Sequence, residues 1–274
     1  MADTLFVPAG ADAWTATDYA RGPWNPEFCH GGPVAALLTR AAEKEHAADG
    51  VEWQVAHITV ELTRPVPVLR ELTLTTRLER PGRKVSVVTA ALHDGETMVA
   101  SSRSVRIRSA DLRFPDDLVV PEDPPPGDPA DADRQWIEWE VADETTFHAD
   151  SCEHRVAGGS LSEPGPVAVW IALRCAVVPD EQPTGAQRAA AVADFGNGVS
   201  SALDTERFSF INPDLTVHFA RPPRGEWIAL RASTHYGDRT RSSGAAFAES
   251  ALYDRAGRFG HAAQSLFVDE TSPG

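Results

Sequence analysis

The sequence predicts an α+β chain of two tandem modules, each a long helix followed by an antiparallel meander. Three observations carry this. The segment Ile58-Thr59-Val60-Glu61-Leu62-Thr63-Arg64-Pro65 returns as Leu215-Thr216-Val217-His218-Phe219-Ala220-Arg221-Pro222, at a constant offset of 157. Each copy then runs through strand-like segments to a similar end, Val99 to Ile107 and Gly260 to Val268. The length of 274 residues also suits two domains at roughly 150 residues each. In this pairing of the copies, Arg103 stands where the second has Gln264, which points to chemistry kept in one half.

Residues 1–24 read as an irregular lead-in with one short strand, ending in Arg21-Gly-Pro-Trp24-Asn25-Pro. A helix is predicted from Gly32 to Ala48, because Val34, Leu37, Leu38, Ala41 and Ala42 repeat at the spacing of a core-facing stripe; Gly50 stops it. From Trp53 the period changes to two, in blocks at 53–64, 71–79, 84–92 and 97–108, with an Asp94-Gly95 turn joining the last two. Pro115 to Asp133 is acidic and too rich in proline for a central strand, so it reads as an extended linker. The domain expectation is therefore a first module over 1–114, a linker over 115–133 and a second module over 134–274.

The second half opens with strand-like Glu138 to Phe147 and Val167 to Arg174. Thr184-Gly-Ala-Gln187 has the capping-box pattern of a helix start, giving a helix over Ala186 to Asn197 with Gly196 and Gly198 near its stop. Strands follow at about 212–221, 227–237, 243–254 and 258–268, with Asp254 to Gly257 as the turn that answers Asp94-Gly95.

Composition narrows the class of partner. Hydrophobic residues make up 42%, enough for an ordinary core in each half. Forty acidic against 25 basic residues leave a net charge of −15, which argues against nucleic acid or an anionic membrane surface. The N-terminus lacks the basic-then-apolar pattern of a signal peptide and no apolar run has the length of a membrane span, so a cytoplasmic location is expected. Cys29, Cys152 and Cys175 form neither a disulfide framework nor a metal pair. There is no serine elbow of the Gly-x-Ser-x-Gly type, no phosphate loop and no zinc HExxH, and Gly196-Asn-Gly198 follows a helix where a dinucleotide fingerprint follows a strand. No metal or redox cofactor is expected.

The helix opening His30-Gly31-Gly32-Pro33-Val34-Ala35-Ala36, the strand end Arg64-Pro65, and the run Asn212-Pro213-Asp214 to Pro222 together resemble the acyl-CoA thioesterase II family and the wider thioesterase-like group. The resemblance covers nearly the whole chain outside the linker. It implies a double hotdog fold, two modules in which a curved antiparallel sheet wraps one helix, and hydrolysis of acyl-CoA by an activated water. The family's Asp, Thr and Gln trio falls on Asp194, Asn212 and Gln264, with Asn a departure from threonine that can still donate and accept a hydrogen bond. An Asp can take the proton of the water while amides orient it. The backbone N–H groups of Gly31 and Gly32, at a helix start, would meet the oxyanion. Arg64, Arg221, Arg239 and Arg241 are candidates for the phosphates of coenzyme A. Hotdog sheets commonly pair edge to edge, so a homo-oligomer is expected.

Other readings remain at this stage. Cys29 and His30, being adjacent in a helix lead-in, make a poor nucleophile pair, and Asp214 and His218, about 13 Å apart on a strand, read as structural. A catalytically silent acyl-CoA-binding protein stays open because Asn212 replaces threonine and fold does not fix function. A hydratase or dehydratase acting on an enoyl-CoA is disfavoured by the absence of an Asp-x-Asn-Pro-x-His run.

Overall fold

The computed structural model describes residues 3–45, 50–135, 144–205, 207–238 and 243–271. Among them the strands are β1 (Phe6–Pro8), β2 (Ala13–Ala16), β3 (Trp53–Leu62), β4 (Glu71–Arg80), β5 (Val85–Asp94), β6 (Thr97–Arg108), β7 (Asp133–Arg134), β8 (Cys152–Gly158), β9 (Val167–Leu173), β10 (Phe208–Ile211), β11 (Asp214–Phe219), β12 (Trp227–His235), β13 (Ala245–Asp254) and β14 (Gly257–Glu270). The helices are α1 (Gly31–Lys44), α2 (Phe147–Asp150), α3 (Gly185–Ala193) and α4 (Gly196–Ser200). No helix among the described residues is long and apolar enough to cross a membrane.

All strands join one sheet, in the order β1-β2-β4-β5-β6-β3-β11-β14-β13-β12-β9-β8-β7, with β10 hydrogen-bonded to the far end of β14. The named pairings are antiparallel. β3 and β11, the two copies of the repeated octapeptide, lie side by side, with Ile58 opposite Val217 and Val60 opposite Leu215. Strand order on one side of this seam (β3-β6-β5-β4-β2) is matched on the other (β11-β14-β13-β12-β9). Ile58, Val60, Leu215 and Val217 are buried beneath α1 and α3, and each such side chain contributes about 1.5–3 kcal/mol of burial.

The two helices run antiparallel and close together. His30, at the start of α1, meets Asp194 at the end of α3, and Glu43, near the end of α1, meets Thr184 at the start of α3. Such an approach needs small residues. A Cβ on Gly32 would stand 2.3 Å from the Ala191 carbonyl oxygen, and α3 itself is mostly alanine on its buried side.

The strand blocks of the first half fall where alternation places them; the differences are local. The lead-in holds two short strands. α1 ends at Lys44, with Glu45 already outside helical geometry, so Gly50 does not stop it; residues 46–49 lie outside the described residues. Of the expected strand from 138 to 147, residues 138–143 are likewise outside, and Phe147 begins the helical turn α2. The expected single helix over Ala186 to Asn197 breaks at Asp194, and Gly196 and Gly198 belong to the separate α4. Thr184 does cap α3, accepting from the Gln187 N–H at 3.1 Å, but the Gln187 side chain turns to Glu43 instead of closing the box.

The pairing of Arg103 with Gln264 also needs correction. Val88 lies opposite Ser104 and Ala248 opposite Gln264, and both Ser104 and Gln264 are buried while Arg103 is exposed. Ser104 is thus the counterpart of Gln264. The proline-rich stretch is no loose connection: Asp123 receives hydrogen bonds from Arg231, Arg258 and Tyr253, and the Trp170 indole donates to the Pro126 carbonyl at 3.3 Å. These bonds strap it over the outer face of the second half's sheet.

Candidate active site

α3 ends in Asp194, and its backbone there bends into α4. The carboxylate sits at the negative end of its own helix dipole, a position that alone is unfavourable. The first turn of α1 faces it with the positive end of another dipole, and three side chains hold it. Asn212 Nδ2, on the link between β10 and β11, donates to Asp194 Oδ1 at 2.6 Å. Gln264 Nε2, from β14, donates to the same oxygen at 2.9 Å and to the Asp194 carbonyl at 3.2 Å. Gln264 Oε1 accepts from the Asn197 N–H at 3.2 Å, so this side chain is engaged at both ends. His30 Nδ1 lies 2.8 Å from Asp194 Oδ2.

His30 Nδ1 is also 3.1 Å from the Gly32 N–H, in the position of a helix cap. One ring nitrogen holds either a proton or a lone pair in its plane, so it cannot both donate to Asp194 and accept from Gly32. The contact with the carboxylate is shorter and charge-assisted, and it decides the tautomer: the proton is on Nδ1. The ring is wedged between Phe147 and Phe195, at centroid distances of 5.1 and 4.9 Å. Behind it, burial lowers His148 to about 4, with His30 as the second cause, and lowers His154 to about 3, with His148 and His30 adding to the effect.

Asp194, Asn212, Gln264, His30 and Gly31 share one cavity of about 460 Å³. Trp24, Arg64, Phe210 and Ile211 also line it, and of these Trp24, Arg64 and Ile211 are exposed to solvent. A Cβ on Gly31 would come within 2.7 Å of Asp194 Oδ2, so only glycine leaves the carboxylate its place. Gly32 does not line this cavity; its role is the helix contact described above.

The arginines divide. Arg64 lines the cavity. Arg221 does not: its guanidinium is held bidentate by the buried Asp254 at 2.5 and 2.7 Å and donates to the Gly257 carbonyl, at the other end of β11. Arg239 and Arg241 lie outside the described residues. Cys29 lines the cavity, but burial pushes its thiol well above the ordinary range, so it is no thiolate nucleophile. Asp214 accepts from the Ser265 N–H at 2.6 Å, a contact within the sheet, and the His218 ring lies tilted against that of His57, at a centroid distance of 4.4 Å. His30, set aside in the sequence as half of a poor nucleophile pair, is the residue whose place beside Asp194 sequence reasoning did not give. Its signal was an N-cap histidine before two glycines that admit a second helix.

A helix pair on a wide antiparallel sheet, with a carboxylate held by two amides in a cavity beside a helix start, is the architecture of a hotdog-fold protein. Models of the acyl-CoA thioesterase N-terminal domain and C-terminal domain match residues 20–109 and 116–268. The chain belongs to the acyl-CoA thioesterase family. Among solved structures it is similar to a hot dog fold protein of Alicyclobacillus acidocaldarius (TM-score 0.68, 17% identity, 97% of this chain and 96% of that one). It is also similar to a candidate thioesterase of Novosphingobium aromaticivorans (0.67, 19%, 97% and 99%) and to acyl-CoA thioesterase II TesB2 of Mycobacterium marinum (0.64, 14%, 97% and 96%). At such identities the likeness establishes the fold. Comparison with the curated proteins finds no match.

Proposed function

We propose that the protein is a double hotdog thioesterase that hydrolyses an acyl-CoA to a carboxylic acid and coenzyme A, with water as the nucleophile. The observation that carries this is the convergence of both amides on one oxygen of Asp194, at 2.6 and 2.9 Å, on the wall of a cavity that a helix start also faces.

The geometry divides the work. Gln264, fully engaged, fixes the carboxylate, and His30 fixes its other oxygen. Asn212 is half-buried and uses one amide hydrogen on Asp194, so its second hydrogen and its carbonyl are the groups that would hold a water. Asp194 takes a proton as the water oxygen bonds to the thioester carbon, and the carbonyl becomes an oxyanion at the Gly31 N–H. Collapse of the intermediate breaks the carbon–sulfur bond, and the proton passes from Asp194 to the departing sulfur. Holding the water and carbonyl in line contributes on the order of the 7–11 kcal/mol available from positioning.

Incubation of the purified protein with a panel of acyl-CoAs, with free thiol measured, tests the reading. Thiol release that Asp194→Asn lowers by about 10³-fold is expected. Saturable binding of every acyl-CoA without turnover would replace it with the silent-binder reading.

A further inference from the structure

We infer that the outer face of the sheet carries a site for a divalent transition-metal ion, held by His57, His218 and His261 across the seam between the two halves. The site is separate from the cavity of Asp194 and does not depend on the thioesterase reading.

Three of the nine histidines of the chain lie in one row. His57 of β3 is opposite His218 of β11, and His218 is opposite His261 of β14. Their neighbours in sequence, Ile58, Val217 and Ala262, are buried in the core, so all three imidazoles stand on the other face of the sheet. Adjacent strands are about 4.8 Å apart, a gap that two leaning imidazoles bridge to one ion at a metal–nitrogen distance of about 2.0–2.1 Å. The row ends in Val105 on β6 and Ala251 on β13, and neither competes for the ion.

The rings of His57 and His218 are already together, with centroids 4.4 Å apart. Burial is the first cause that lowers His57 and His261 below the ordinary imidazole value, and the guanidinium groups of Arg103 and Arg258 act in the same direction. Both rings are therefore neutral, the form in which an imidazole binds a metal. His57 Nε2 lies 3.2 Å from Thr59 Oγ1, which lies 3.1 Å from Thr216 Oγ1. The hydroxyl pair takes the Nε2 proton and leaves a lone pair on Nδ1, the outer support that ligating histidines have. Among the described residues no three such groups face one point as the rings stand, so binding includes a rotation of His261 toward the other two.

The repeat explains why there is one such site. At the offset of 157, Thr59 and Thr216 are equivalent, and they face each other across the seam, so the local two-fold axis passes between them. That axis carries the His57–His218 pair onto Asp214 and Glu61, the pair on the far side of the threonines. These carboxylates accept from the Ser265 N–H and the Ser101 hydroxyl. They stand about 7 Å along the strands from the histidines, within a Debye length, and draw a cation toward the imidazoles. Nitrogen donors of this kind select Zn²⁺, Ni²⁺ or Cu²⁺ over Mg²⁺ and Ca²⁺.

Calorimetric titration of the whole protein, dialysed free of metal, with zinc chloride tests the site. One ion per chain is expected, and magnesium chloride gives no binding heat. His218→Ala, His57→Gln and His261→Gln each weaken Kd by at least about tenfold, since a lost ligand costs no less than a lost outer-shell partner. His235→Gln, which removes a histidine paired with Glu249 at 3.3 Å outside the row, leaves Kd unaltered. His218 is exposed, so its replacement leaves the core untouched. Because the ion joins β3 to β11, excess zinc raises the thermal midpoint of the wild type and not that of His218→Ala. Absence of saturable zinc binding, or a Kd unaltered in His218→Ala, overturns the site. A loss confined to His235→Gln would also overturn it, by placing the ion elsewhere on this face.

Discussion

The two ends of the α1/α3 pair pose the same physical problem and solve it differently. At each end the first turn of one helix faces a carboxylate near the last turn of the other. At one end Asp194 meets His30, two amides and an open cavity. At the other, Glu43 accepts from Thr184 Oγ1 at 2.8 Å and from Gln187 Nε2 at 2.6 Å, and burial raises its carboxyl above the ordinary value despite those bonds. The strand supplies the contrast. Where β14 brings Gln264, β6 brings Ser104; and two residues on, where β14 has Leu266, β6 has Arg106, buried and donating to the Ala42 and Glu45 carbonyls at 3.0 and 2.7 Å. One end spends its polar groups on a carboxylate facing space, the other on closing a helix terminus. A helix pair with a carboxylate at each end makes one candidate site because only one strand delivers an amide.

Replacing each carboxylate by its amide breaks or upholds that contrast most strongly. Asp194→Asn keeps the shape but removes the proposed proton acceptor, so turnover is expected to fall by about 10³-fold, within the usual range for a lost general base. Glu43→Gln leaves kcat/KM within about twofold of wild type. Thiol-release kinetics on both variants decide, and equal losses would mean that the two ends are not different in kind. A smaller effect follows for the amides. Gln264→Ala lowers kcat by about 10²-fold, since a misplaced base behaves like a lost preorganised donor. Asn212→Thr retains activity within about tenfold, because a hydroxyl can both donate to Asp194 and hold the water. A fully active Gln264→Ala would remove the amide from the mechanism.

Most of the sheet was legible because alternation in β3 to β6 and β11 to β14 reports directly which face is buried. Asp194, Asn212 and Gln264 were legible through resemblance, and the fold brings them within hydrogen-bond distance. What stayed hidden depended on a partner distant in sequence. His30 and Asp194 are 164 positions apart and meet only because α1 and α3 pack through glycine and alanine. Arg221 looked free until Asp254, 33 positions on, took its guanidinium. The misassigned Arg103 shows how little tolerance a strand allows, since a slip of one residue exchanges the buried face for the exposed one. Nothing in the alanine-rich run before Asp194 announced a break in the helix.

Arg106 sharpens the comparison from the side of stability. Its guanidinium closes the end of α1, bonds Ser86 Oγ at 3.0 Å and lies over the Trp53 ring, 5.7 Å from the ring centre. Arg106→Met removes these donors and leaves the last carbonyls of α1 unpaired, at a cost of about 2–3 kcal/mol in chemical denaturation. Activity per folded molecule should be unchanged. A parallel loss of kcat/KM would show that the two ends of the helix pair communicate.

The effect furthest from turnover concerns the imidazoles behind His30. His148 and His154 are held neutral by burial, at about 4 and about 3, while an unfolded chain protonates them near 6.5. Between those values the unfolded state binds more protons than the folded one, so stability rises with pH there. The contribution is complete above about pH 6.5 and is lost as the pH falls toward 4 and then 3. Glu153, the acidic neighbour of His154, opposes its shift only weakly, and His30 and His148 reinforce it. In His154→Gln one such proton disappears, and the slope of stability against pH across this window flattens by up to about 1.4 kcal/mol per pH unit. Denaturant melts of wild type and variant at several pH values from 4 to 7 measure it. Identical slopes would mean that His154 is already neutral in the unfolded chain or charged in the fold, and that the aromatic wall behind Asp194 is not what keeps the end of α3 free of positive charge.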